Sequence, residues 1–96
     1  MKLGPLIREA RTGAGLSLAE LGRRVRCSSG YLCRIEQGDR SRRPSTHLLV
    51  RLASALRLKV DVVFVAAGRV PDDLVKFLLS TPEALAELRR MQQEAA

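Results

Sequence analysis

Ninety-six residues carrying a net charge of +7 make one domain with a modest core. Hydrophobic residues are 46% of the chain but aromatics only 3%, so that core has to be aliphatic, which suits small packed helices. Seventeen Lys and Arg against ten Asp and Glu point to nucleic acid or another anionic surface. An enzyme reading has almost nothing to stand on: there is one histidine, no glycine-rich phosphate cradle and no metal-ligand cluster, so neither a catalytic group nor a cofactor is expected.

The charge is unevenly spread. Residues 1–69 hold fourteen basic and five acidic side chains, whereas residues 70–96 hold three and five. A polyanion-binding domain over 1–69 and a C-terminal extension over 70–96 with a separate task are therefore expected. Met1 and Lys2 are not followed by the unbroken apolar run of a signal peptide, and the longest such run, Val62 to Ala67, is too short to span a bilayer. Cys27 and Cys33 lack the spacing of a zinc site or a redox pair. A cytoplasmic protein with reduced thiols and no membrane partner is the expectation.

Residues 3 to 14 read as an amphipathic helix. Leu3, Leu6, Ile7, Ala10 and Ala14 fall on one stripe, Pro5 suits the first turn, and Gly13 and Gly15 end it. Residues 17 to 38 read as two short helices joined by a tight turn. Ser17 and Glu20 form a capping box, with Leu16 and Leu21 as its hydrophobic staple. The second helix starts at Ser28 or Ser29 and stops at Gly38. Leu21 with Val25, and Leu32 with Ile35, make the two buried stripes, and Gly22, beside Leu21, lets the second helix approach closely. The other side of the second helix carries Ser28, Ser29, Gly30, Cys33, Arg34 and Gln37, which are small, polar or basic.

Asp39 to Pro44 is a cation-rich loop containing Arg40, Ser41, Arg42 and Arg43. Ser45 caps a further helix with Leu48, Leu49, Leu52, Ala53 and Leu56 on its buried side, and His47 in its first turn reads as a surface residue. Residues 60 to 67 are ambiguous, because their β-branched content favours a strand. Two helical pieces follow. One opens at Pro71 and carries Leu74, Val75, Phe77, Leu78 and Leu79. The other has Thr81 as N-cap and Pro82 as its first residue, then Leu85, Leu88 and Met91. These apolar residues exceed what one face of an exposed helix needs, so they either cover the core or form a dimer interface.

The stretch from Ser17 to Gly38 resembles the helix-turn-helix of the lambda-repressor-like regulators, with Leu21, Gly22, Val25, Cys27, Leu32 and Ile35 at the core positions of the motif and GYLCRIEQG similar to its second helix. The resemblance covers most of residues 3 to 68. It implies an all-α, five-helix DNA-binding domain, so residues 60 to 67 become a helix rather than a strand, ending at Gly68. It also implies that Arg11 pairs with Glu36. Two departures stand out. Arg26 occupies a turn position that usually holds Gly, which would force it into the left-handed region, and Leu18 replaces a Gln that contacts phosphate in many members.

On this resemblance the second motif helix is the one presented to the major groove of double-stranded DNA. Ser28, Ser29 and Gly30 allow the backbone to come close to the bases, and Cys33 and Gln37 share that face. Arg34 is long and forked and matches guanine O6 and N7. Tyr31 lies to the side, placed to pack on the first motif helix or to bond a phosphate. Arg40, Ser41, Arg42 and Arg43 are the expected backbone contacts, with Arg23 and Arg24 as weaker ones. Because repressor-like domains act as symmetric pairs, Leu74, Phe77, Leu78 and Leu88 are assigned to a homodimer interface. The function expected is a dimeric transcriptional repressor on an inverted-repeat operator. The alternative is an antitoxin that binds DNA and masks a toxin protein with its tail.

Overall fold

The computed structural model describes residues 1–39, 41 and 43–95, and among these it forms seven helices and no strand. They are α1 (Leu3–Gly13), α2 (Leu18–Val25), α3 (Ser29–Glu36), α4 (Thr46–Ala55), α5 (Val60–Ala66), α6 (Asp72–Ser80) and α7 (Pro82–Ala95). Serines start three of them. The Ser17 hydroxyl accepts from the Glu20 N–H at 3.0 Å, and the Glu20 carboxylate accepts from the Ser17 N–H at 3.4 Å, which completes the capping box of α2. Ser28 accepts from the Tyr31 N–H and Ser45 from the Leu48 N–H, both at 3.1 Å. Each cap satisfies an amide that would otherwise be orphaned, worth about 1 kcal/mol.

The ends of the helices are as specific as their starts. At the end of α3, Gly38 lies at φ 83°, a left-handed conformation that a side chain disfavours. Its N–H bonds to the Ile35 carbonyl and the Asp39 N–H to the Arg34 carbonyl, both at 3.0 Å, which is the Schellman pattern. The same double bond closes α4, but with Arg57 at φ 55° in the glycine position. At the end of α1 the reversal turns the chain at Gly15 and carries Leu16 into the core. Ala14, expected on the buried stripe, is the exposed C-cap residue instead, and Leu16 takes its place inside.

Two clusters make the core. Ile7, Leu16, Leu21, Val25, Leu32, Ile35, Leu48, Leu52 and Leu56 join α1 to α4. Leu49, Ala53, Val63 and Phe64 form the second, under α5. Fully burying a side chain of this size is worth about 1.5–3 kcal/mol. This burial explains why residues 60 to 67 are helical despite their β-branched content: Val63, Phe64 and Ala67 recur at helical spacing and face α4, so tertiary packing overrides local preference.

The C-terminal extension is a helical hairpin. α6 packs on α7, and no residue of either helix is buried. Leu74, Val75, Phe77, Leu79, Leu85, Leu88 and Met91 all remain exposed, whereas Leu78 is half-buried. The possibility that these residues cover the five-helix core is thereby excluded. Among the described residues no helix is long and apolar enough to cross a membrane.

Gly4 holds α1 against the end of α3. A methyl group there would lie 2.6 Å from the Glu36 carbonyl oxygen and 2.7 Å from that of Ile35, both rigid backbone atoms. Gly30, in contrast, faces open space within α3. Gly4→Ala should therefore cost about 1–3 kcal/mol by overpacking. Gly30→Ala should gain about 1 kcal/mol of helix propensity. Urea titrations of the two variants check this, and a Gly4→Ala variant as stable as the parent would contradict the close packing.

Candidate nucleic-acid interface

α3 is seated by contacts on its inner side. Leu32 and Ile35 are buried in the first cluster, and Tyr31 packs half-buried against it. At its C-terminal end Glu36 meets Arg11 of α1. The Arg11 Nε donates to Oε2 at 2.7 Å and Nη2 donates to Oε1 at 3.0 Å, a two-pronged pair. Nη1 donates to the Leu16 carbonyl at 2.9 Å, so one guanidinium links α1, the turn before α2 and α3. The two side chains are only 13% and 7% exposed. The hydrogen bond to Glu36 raises the Arg11 pKa above its ordinary value, against the opposing effect of burial.

With Glu36 turned inward, the opposite face of α3 is left to solvent. Ser29, Gly30, Arg34 and Gln37 are exposed, and Cys33 is half-buried beside them. Ser28 is exposed at the start of the stripe; its hydroxyl oxygen caps α3 and its hydroxyl proton is left available to a ligand. Among the described residues no side-chain hydrogen bond or ion pair engages Arg34. The result is a narrow stripe of small residues ending in one long, forked cation.

The turn between α2 and α3 fixes the angle of that stripe. Arg26 sits at φ 57°, in the left-handed region, and the Cys27 N–H bonds to the Gly22 carbonyl at 2.9 Å. A Cβ on Gly22 would stand 2.5 Å from the Cys27 carbonyl oxygen, so the turn closes only over glycine. Arg51 of α4 donates its Nε to the Val25 carbonyl at 2.8 Å and braces the turn from behind. Cys27 is half-buried, and burial pushes its thiol pKa up, opposed by the Ser28 backbone and by Arg51. Leu18, at the position where many lambda-repressor-like proteins have Gln, packs half-buried against the core instead.

The loop after α3 carries the cations expected to contact phosphate. Arg43 is exposed, and Ser41 donates its N–H to Asp39 Oδ1 at 2.8 Å. Arg40 and Arg42 lie outside the described residues. Arg23 and Arg24 are exposed on α2, and His47 is exposed in the first turn of α4. The hairpin residues Leu74, Phe77 and Leu88 are exposed and Leu78 is half-buried, remote in sequence from this stripe.

Three positioning residues escape a reading of the sequence. Gly4 shares a helical stripe with Ile7 and Arg11, which is a usable signal for close approach. Arg51 interrupts the stripe formed by Leu48, Leu52 and Ala55, and a lone cation within an apolar stripe often holds a backbone carbonyl. Arg69, which donates to the Pro44 carbonyl and to Thr46, carries no pattern at all.

A family model described as "Helix-turn-helix domain" matches residues 2–63. Over 66 residues the chain is 39% identical to the transcriptional regulator ClgR of Mycobacterium tuberculosis, a match covering 69% of this chain and 57% of that protein. The chain thus spans about half the length of the curated relatives it matches. The crystal structure of the clp gene regulator ClgR from Corynebacterium glutamicum superposes with a TM-score of 0.58 at 30% identity, over 94% of this chain and 88% of that one. The crystal structure of SinR, a master regulator for biofilm formation, in complex with DNA superposes with a TM-score of 0.57 at 28% identity, over 64% of this chain and 95% of that one.

Removing one member of the Arg11–Glu36 pair leaves an uncompensated charge in a nearly closed site. Arg11→Met and Glu36→Gln should each cost about 3–5 kcal/mol, and the double variant much less than their sum. Denaturant melts of the full cycle measure the coupling. Small, additive losses would show that the pair does not hold α1 to α3.

Proposed function

We propose, for a chain that belongs to the lambda-repressor-like helix-turn-helix family of DNA-binding transcriptional regulators, that it represses transcription as a homodimer bound to an inverted-repeat operator in double-stranded DNA. One observation carries the reading: the exposed stripe of α3 ends in Arg34, while the inner side of the same helix is pinned by Arg11, Leu32 and Ile35. A helix held in this way can enter a major groove without reorganising.

The division of labour follows from chemistry. Ser28, Ser29 and Gly30 keep the start of α3 slim enough for the backbone to approach the base edges, and Cys33 and Gln37 complete the face. Arg34 donates two parallel hydrogen bonds to guanine O6 and N7, a match that no other base offers as well. Tyr31, half-buried against the core, is assigned a phosphate contact through its phenol. Arg40, Ser41, Arg42 and Arg43 neutralise and bond the sugar–phosphate strand, which supplies affinity without sequence information. The hairpin brings two copies together through Leu74, Phe77, Leu78 and Leu88. The exposed apolar surface of α6 and α7 supports this, since a monomer gains nothing from leaving it in water. On this reading the protein is cytoplasmic and acts on the chromosome.

Selection of binding sites from random DNA by the purified protein tests the reading. The recovered motif should be an inverted repeat with a G·C pair at matching positions, its halves about 34–36 Å apart. Arg34→Ala should lose about 1–3 kcal/mol of preference at that pair and keep most of its salt-sensitive, nonspecific binding. Arg34→Lys should recover only part, because an ammonium lacks the fork. Equal weakening on every sequence would make Arg34 a phosphate clamp and move specificity elsewhere.

Assembly is tested separately. Phe77→Glu combined with Leu88→Glu places charge on exposed positions, so the fold should survive while the protein sediments as a monomer. A variant that remains dimeric would place the interface in the first five helices.

A further inference from the structure

Arg69 lies at the junction between the five-helix domain and the hairpin. α5 ends in a Schellman motif: Gly68, at φ 74°, donates its N–H to the Val65 carbonyl and Arg69 donates its N–H to the Phe64 carbonyl, both at 2.9 Å. In such an ending the side chain after the glycine packs on a side chain in the last turn of the helix. Here that contact is a guanidinium 5.8 Å from the centre of the Phe64 ring. The motif therefore aims Arg69 across the surface rather than out to solvent, and the side chain is half-buried.

What it reaches is the end of the basic loop. Nη1 donates to the Pro44 carbonyl and Nη2 to the Thr46 hydroxyl, both at 2.7 Å. These acceptors flank Ser45, the cap of α4, and follow Arg43 directly. Asp39, Arg43, Pro44, Gly68 and Arg69 together line part of an open cleft of about 780 Å³. Arg69 thus ties the end of the loop, at Pro44, to α5.

From this geometry we infer that Arg69 is a positioning residue for DNA binding: it fixes the end of the loop after α3, so that Arg43, next to the tied Pro44, is held ready for the phosphate strand. The inference rests on the DNA-binding reading above. A loop already held in place loses less conformational freedom on binding, so the same cations bind more tightly. The tie also joins the loop to the linker that leads through buried Pro71 into the hairpin.

The test uses the full chain and an operator duplex of the selected sequence beside a scrambled duplex. Arg69→Met keeps an unbranched side chain over Phe64 but removes all donors, and Thr46→Val removes one acceptor while leaving the linker untouched. Arg69→Met should weaken both duplexes alike, roughly tenfold, and flatten the slope of log K against log salt by about 0.9 for each phosphate that is no longer neutralised. Thr46→Val should act in the same direction but less, and should add nothing to Arg69→Met. Arg69→Lys should rescue in part, since an ammonium can still reach one of the two oxygens. Backbone relaxation of Ser41 and Arg43 in the free protein should show the loop loosened in Arg69→Met. Unchanged loop order, or a loosened loop with unchanged affinity and salt slope in a folded variant, would overturn the inference. Failure of the unaltered protein to bind either duplex would overturn the DNA-binding reading itself, and with it this role for Arg69.

Discussion

The Arg11 guanidinium is a planar fork with three occupied prongs. Two go to the carboxylate at the end of α3 and one to the carbonyl of Leu16, just before α2. Burial of Leu32 and Ile35 decides which side of α3 faces the core, but apolar contacts tolerate small rotations of a short helix about its axis. An ion pair with two parallel hydrogen bonds is less tolerant. Its net stability over a well-packed apolar pair is small. What it adds to the buried stripe is a fixed angle for α3, and so a fixed presentation of the residues left to face a ligand. Every assignment made for Ser29, Gly30, Arg34 and Gln37 depends on that orientation.

The orientation is reinforced from two other directions. Gly4 and Gly22 remove side chains where backbone meets backbone, so α1 and the turn press directly on α3 and its approach. Arg51 then bonds the carbonyl that ends α2. Arginine recurs because its several donors can each meet a different carbonyl or carboxylate, whereas lysine offers one mobile charge. The chain therefore uses its cations for two purposes. Some, such as Arg11, Arg51 and Arg69, are turned inward onto backbone, hydroxyl and carboxylate oxygens. Others, such as Arg23, Arg24, Arg34 and Arg43, stay exposed and make the surface attractive to a polyanion. A net charge alone does not tell these sets apart.

Much of this architecture is legible in the amino-acid order. The capping box at Ser17 and Glu20, the serine caps of α3 and α4 and the glycine at the end of α3 are local devices, and local devices survive in a sequence. The aliphatic stripes of α2, α3 and α4 are legible for the same reason. Residues 60 to 67 are not, because their valines favour a strand until the buried surface of α4 is supplied; only the family resemblance resolves them. Ala14 is misleading because helical spacing continues on paper past the point where Gly15 reverses the chain. The contacts of Arg51 and Arg69 join residues 26, 25 and 23 positions apart, through single side chains and backbone carbonyls, and no periodicity records such a contact.

A structure of the protein bound to its selected operator tests the central claim most directly. The Arg11–Glu36 pair should stay closed and α3 should keep its rotation. The Arg34 guanidinium should then lie within hydrogen-bonding distance of O6 and N7 of one guanine in each half-site. A complex in which α3 has turned about its axis, or in which Arg34 rests on phosphate while another residue reads the bases, would contradict this.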